Sequence, residues 1–115
     1  MTEIFDRQED RKYGRVYQRA TPDLLEKFDA FDAAVFAAEG REIPLKYREL
    51  MALAVALTTQ CGYCIDFHAN AAVKAGASDT ELAETGWVAT AIRAGGGYAH
   101  GRLAFKLAGV DLHAH

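Results

Sequence analysis

Cysteine and proline are scarce in this chain, with two of each in 115 residues. The two thiols, Cys61 and Cys64, stand too close together to staple a secreted scaffold, which closes longer loops. They form a local chemical pair. There is no run of about 18 apolar residues, so no membrane span is expected. The Met-Thr-Glu-Ile-Phe-Asp start is neither basic nor followed by an apolar stretch and a small-residue cleavage site, and the expected location is cytoplasmic. Neither sign of charge dominates: 13 Lys and Arg stand against 16 Asp and Glu, a formal net charge of -3. That balance lacks the electrostatic footprint of a general nucleic-acid binder. Ser78 is the only serine, so no serine-based triad can be assembled. The length leaves room for one hydrophobic core and no second.

What the chain does have is alanine. The 22 Ala against 10 Val and Ile together favour helix over sheet, because Ala costs a helix least and packs poorly in strands. The expected fold is all-α, a single-domain bundle of about five to six helices. Residues 1–20 read as an N-terminal arm of mixed charge with a short helix carrying Tyr13, Val16 and Tyr17 on one face. Residues 21–112 read as the core domain. Thr21-Pro22-Asp23 opens its first helix, with the Thr hydroxyl as a cap. Leu24, Phe28, Phe31 and Val35 form its apolar stripe, and Gly40 its end. Pro44 opens a central helix that is apolar nearly all round, from Leu50 to Leu57. A further helix runs from the cysteine pair to Lys74, stopped by Gly76. Ser78-Asp79-Thr80-Glu81 is a capping box. Leu82, Val88, Ala91 and Ile92 are the expected buried face of the helix it opens. Gly95-Gly96-Gly97 is expected to be a turn, followed by a last short helix over Tyr98 to Leu107.

Positions three and four apart share a helix face, so Cys61, Cys64 and His68 form one column of two sulfurs and an imidazole. Cysteines at i and i+3 in a first turn can meet disulfide geometry. A helix N-terminus also favours thiolate, the nucleophilic form. His68, one turn past Cys64, is a base beside that nucleophile. Glu49, on the preceding helix, can orient or charge the imidazole if the two helices pack antiparallel. Other readings of these residues are a zinc clip that lacks an obvious fourth ligand, ordinary core thiols, a core histidine, and a Glu49 paired with Lys46 or Arg48. Tyr63 reads as a shield for the sulfurs, His100 as a residue that could border the pocket, and His113 and His115 as tail residues with no metal site.

The spacing Glu49, eleven residues, Cys61-Gly62-Tyr63-Cys64, three residues, His68 resembles the motif of AhpD-like alkylhydroperoxidases in the carboxymuconolactone decarboxylase superfamily. The flanks Glu49-Leu50-Met51-Ala52-Leu53-Ala54-Val55-Ala56 and Ala71-Ala72-Val73-Lys74-Ala75-Gly76-Ala77-Ser78 extend the likeness over roughly residues 40–95. The resemblance implies an all-helical homo-oligomer, commonly a trimer or hexamer, of the small single-repeat kind. It implies a thiol-disulfide oxidoreductase with peroxidase activity, taking a small-molecule peroxide or disulfide as substrate and a thiol or lipoamide-type reductant. No cofactor, metal, nucleic acid or membrane is expected. Cys61 and Cys64 would cycle between dithiol and disulfide, with Glu49 and His68 as the proton relay. Some members carry a His between the cysteines where this chain has Tyr63. The alternatives are a cofactor-free decarboxylase or lactone-handling enzyme using His68 and Glu49, and a zinc-clipped or redox-sensing interaction module.

Overall fold

The computed structural model describes residues 6–114; residues 1–5 of the arm and His115 lie outside the described residues. The elements in order are α1 (Arg7–Asp10), a 3-10 turn (Arg11–Tyr13), α2 (Gly14–Ala20), α3 (Pro22–Val35), α4 (Leu45–Thr59), α5 (Gly62–Lys74) and α6 (Asp79–Leu107). No strand occurs among the described residues, so the chain is all-helical as its alanine content predicts. None of these helices is long and apolar enough to cross a membrane.

α4 is the central helix and packs against both α5 and α6. Leu50, Leu53 and Ala56 of α4, Ala72 of α5 and Ala89 of α6 are the buried apolar residues. Three of these five are alanines, which let helix backbones approach closely and leave a thin core. α4 ends at Gln60, whose left-handed backbone (φ 58°) turns the chain directly into α5. Arg93 of α6 donates from Nη1 to the Thr58 carbonyl at 2.7 Å, fastening α6 to that end of α4. At the other end, Lys46 pairs with Glu81 at 3.0 Å. Glu81 also closes the capping box: its amide donates to Ser78 Oγ at 3.1 Å, and the Ser78 amide donates to Glu81 Oε1 at 2.9 Å. Gly76 precedes this cap in a left-handed conformation (φ +103°) that a side chain would strain.

Several expectations are corrected. Gly95-Gly96-Gly97 is not a turn: α6 runs through it as one helix of 29 residues, and the expected short helix over Tyr98 to Leu107 is its C-terminal end. Glycine weakens a helix by about 1 kcal/mol relative to Ala. It stops one only where positive φ or a competing cap intervenes, and none of these three has positive φ. α3 ends at Val35 rather than near Gly40, which lies in the following loop at φ +83°. The Thr21 hydroxyl does not cap α3; it donates back to the Tyr17 carbonyl at 3.2 Å. On α6, Val88, Ala91 and Ile92 are exposed and Leu82 is half-buried, while Ala89 faces the core. The stripe Leu24, Phe28, Phe31 and Val35 is exposed too, as are Met51 and Val55 of α4. Helical periodicity identifies an apolar face without identifying what covers it.

The exposed stripes give the chain an open shape. Its radius of gyration is 19.5 Å and its longest dimension 61 Å, against about 13 Å for the radius of a compact chain of this length. Its accessible surface is 9486 Å², where a folded monomer of this mass typically exposes about 6,200 Å².

Candidate redox site

The site is built on the α4–α5 hairpin. Cys61 is the N-cap of α5, with extended backbone (φ -92°, ψ 98°), and its amide donates to the Ala56 carbonyl at 3.0 Å, closing the end of α4. Cys61 Sγ accepts the Cys64 amide at 3.3 Å, the hydrogen bond a serine or aspartate makes at this position. Cys61 and Cys64 form a disulfide, with Cα atoms 5.2 Å apart. The i, i+3 spacing at a helix start is therefore used as a covalent pair. Among the described residues, no group of three or more His, Cys, Asp and Glu side chains is arranged to hold a metal ion.

One turn along α5, His68 Nδ1 meets Glu49 Oε2 at 2.9 Å. The Glu49 side chain is 4% exposed and that of His68 14%. A carboxylate this deeply buried needs a partner that satisfies its charge, and the imidazole is that partner. Phe36 and Phe67 pack on the imidazole with ring centroids 4.8 Å and 5.1 Å away, the latter edge-on. With Nδ1 directed at the carboxylate, Nε2 is the ring nitrogen left to exchange a proton. Glu49 does not pair with Lys46 or Arg48. Lys46 is drawn to Glu81, and Arg48 makes three backbone bonds: Nε to Ile43 O at 2.8 Å, Nη1 to Val35 O and Nη2 to Ala37 O, both at 2.7 Å. Arg48 thus pins the end of α3 and the loop after it beside Glu49, and Phe36 lies within the segment it holds.

Tyr63, between the cysteines, is half-exposed and donates its hydroxyl to Asp10 Oδ2 on the N-terminal arm. This bond, joined by the Asp6 amide, holds the Asp10 carboxyl below the usual aspartate range; the same bond, with some desolvation, pushes the Tyr63 phenol up. Tyr63 and Phe67 share a face of α5 beside Cys64 and form, with Asp10, Arg11, Tyr13 and Tyr17, the wall of an open cleft. His100 is exposed on the C-terminal half of α6, and no hydrogen bond or ring contact joins it to the Glu49–His68 pair among the described residues. Sequence reasoning brought Cys61, Cys64, His68 and Glu49 together. It missed Phe36 and Asp10, and it offered Arg48 only as a partner for Glu49; spacing carries no signal for the contacts these three make. Phe67 was within reach as the i+4 neighbour of Tyr63.

The model of the carboxymuconolactone decarboxylase family matches residues 22–107. A Paracoccus denitrificans protein described as uncharacterized protein 4 in the cox locus is 38% identical over 89 residues, covering 77% of this chain and 78% of the relative. An uncharacterized protein of Haemophilus influenzae is 51% identical over 51 residues, 44% of this chain and 43% of that one. Among solved structures, an apo carboxymuconolactone decarboxylase family protein from Legionella pneumophila superposes with a TM-score of 0.65 at 28% identity, over 74% of each chain. A protein from Methanobacterium thermoautotrophicum gives 0.67 at 30% identity, over 76% of this chain and 98% of that one.

Proposed function

This chain belongs to the carboxymuconolactone decarboxylase family, and within that family we propose that it is a thiol-disulfide oxidoreductase with alkylhydroperoxidase activity. The observation that carries the reading is a Cys61–Cys64 disulfide at the start of α5, one turn from a histidine held by a buried carboxylate. A purely structural disulfide spanning three residues constrains little chain, and a purely structural Glu–His pair has no need to sit beside it.

In the reduced form, His68 takes the thiol proton of Cys64 through Nε2 while Glu49 holds Nδ1 and balances the imidazolium charge. The Cys64 thiolate attacks the distal oxygen of a hydroperoxide. The O–O bond breaks, Cys64 becomes a sulfenic acid, and the proton on His68 goes to the leaving alkoxide to give an alcohol. Cys61 then attacks the Cys64 sulfur; the S–O bond breaks, and the departing hydroxide leaves as water with the Cys61 proton. Two thiols and one hydroperoxide thus give one disulfide, one alcohol and one water. A dithiol reductant of the lipoamide type restores the pair by attacking Cys64, with Cys61 as the leaving thiolate. The amide of Cys64 on Cys61 Sγ supports that division of labour, because it stabilises sulfur anion at Cys61 and a stabilised thiolate leaves faster.

The open shape and exposed apolar faces support a homo-oligomer, trimer or hexamer, as the working form. A decarboxylase reading uses Glu49 and His68 but leaves the disulfide without a task. The test is turnover of cumene hydroperoxide and of lipoamide disulfide with a thiol donor, comparing wild type with Cys61→Ser and Cys64→Ser. Wild type should turn over. Cys64→Ser should lose both activities, and Cys61→Ser should form a sulfenic acid once and stop. Full peroxide turnover by the double variant would refute the proposal.

A further inference from the structure

The cleft beside Cys64 is larger than the reduction of a peroxide bond requires. The N-terminal arm forms one side of it and α5 the other, and its volume is about 570 Å³, within the range of small-molecule sites. Its apolar wall is aromatic, with Tyr13 and Tyr17 from the arm and Tyr63 and Phe67 from α5. All four rings open on the same hollow, which sets them apart from aromatics scattered singly over a surface. Phe67 joins the hollow to the chemistry, because this lining residue also packs edge-on against His68 at 5.1 Å. Charge beside the cleft is uneven as well. From Arg11 to Ala20 the arm carries four cations and no anion, whereas residues 21–115 carry eight cations against twelve anions. Lys12 is paired with Glu9 at 2.8 Å. The Asp10 carboxylate, also in the lining, accepts the Tyr63 hydroxyl and the Asp6 amide. Arg11 lines the cleft too, and among the described residues its guanidinium makes no ion pair or hydrogen bond.

We infer that this cleft selects hydroperoxides that carry a carboxylate on an apolar body, with the body lying against the four aromatic rings and the carboxylate pairing with Arg11. The inference rests on the redox reading for the identity of the reacting group. A guanidinium presents a planar fork that matches the two oxygens of a carboxylate. The Asp10 charge beside it disfavours a more highly charged phosphate, which leaves a single carboxylate as the better match. The aromatic wall asks for an apolar chain or ring to cover it, and a molecule as small as hydrogen peroxide covers nothing. Contacts made by these remote parts of the substrate hold its O–O bond at the Cys64 end of the cleft and raise kcat/KM. The basic segment that carries Arg11 also draws anions in from solution, an attraction that salt screens. The reaction keeps its balance: a hydroperoxy acid and two thiols give a hydroxy acid, a disulfide and water.

The probe is linoleic acid hydroperoxide, set against its primary amide, which keeps the chain and removes the charge. Stopped-flow oxidation of the reduced protein should be about 5-fold faster with the acid than with the amide, the gain an exposed ion pair supplies. That ratio should drop to about 1 in Arg11→Gln and below unity in Arg11→Glu. In wild type it should fall toward unity between about 0.02 and 0.5 M salt. The double variant Tyr13→Ser/Tyr17→Ser should cut the preference for the amide over hydrogen peroxide about 10-fold, because the chain loses its wall on the arm. Titrating the oxidised protein with the corresponding hydroxy acid should move the Arg11, Tyr63 and Phe67 resonances in NMR without any turnover. A protein that is oxidised by cumene hydroperoxide but treats acid and amide alike, or an Arg11→Gln variant with the wild-type ratio, would overturn this inference and leave the redox reading standing. Thiols that react with no hydroperoxide would overturn both, and hydroxy-acid shifts confined to the rest of the chain would overturn the cleft as the site.

Discussion

Replacing His68 by Ala and Glu49 by Gln should slow thiol oxidation by amounts that differ for a reason visible in the site. An unassisted thiol with pKa about 8.5 is about 3% thiolate at pH 7, so help with deprotonation alone is worth at most about 30-fold there. General acid–base assistance usually contributes about 10²–10⁴-fold; the remainder of the His68 effect must therefore come from protonating the departing alkoxide. Glu49→Gln keeps the shape and an acceptor for Nδ1 but removes the charge at 2.9 Å, and an orienting group of this kind is typically worth about 10–100-fold. Stopped-flow oxidation of the reduced protein by cumene hydroperoxide between pH 6 and 10 should rank wild type, then Glu49→Gln, then His68→Ala. Raising the pH should recover about 30-fold of the His68→Ala deficit, by ionising the thiol directly, and leave the rest. A His68→Ala protein that matches wild type throughout, or one whose whole deficit vanishes at pH 10, would refute the assignment of both proton transfers to this histidine.

Arg48→Lys should lower stability by about 1–3 kcal/mol in chemical denaturation, because an ammonium cannot reproduce a planar fork bonded to three carbonyls. It should also move the His68 ring resonances in NMR as Phe36 loosens; unchanged resonances would show that the loop holds its place without the clamp. Ultraviolet titration of Tyr63 should give a phenol above the ordinary tyrosine range that returns toward it in Asp10→Asn. The sign for the arm follows. The raised Tyr63 value contributes stability below the ordinary phenol value that is lost as pH rises through the folded one. The depressed Asp10 value contributes stability above the ordinary carboxyl value that is lost as pH falls through the folded one. Trypsin cleavage at Arg11 to Arg19 should consequently be slowest between those limits, and a flat pH response would remove the Tyr63–Asp10 bond as the arm's tether.

Features that depend on neighbours in sequence were legible. The capping box at Ser78 needs only a Ser and a Glu three apart, and the cysteine column needs only helical spacing. Glu49 was reachable because its partner lies on the next helix and the turn between is short. Phe36 was not, since its contact with His68 depends on Arg48 folding the intervening loop, and nothing in the spacing of either residue encodes that. The glycine run reads as a turn because glycine is a poor helix former, whereas the helix on either side continues through it. The apolar stripe of α3 shows a different limit: periodicity identifies the face, while its exposure follows from a chain too small to cover it.

Glu49, Cys61, Cys64 and His68 all fall within twenty consecutive residues, on two helices joined across the single left-handed residue Gln60. Such local contacts close small loops and form early in folding, commonly on the microsecond to millisecond scale for helical topologies. The pairing of the carboxylate with the imidazole and the meeting of the two sulfurs therefore close shorter loops than the Arg93–Thr58 and Lys46–Glu81 contacts that fasten α6. A chain emerging during synthesis holds its full set of reacting groups once α5 has left the ribosome, with α6 still to be made.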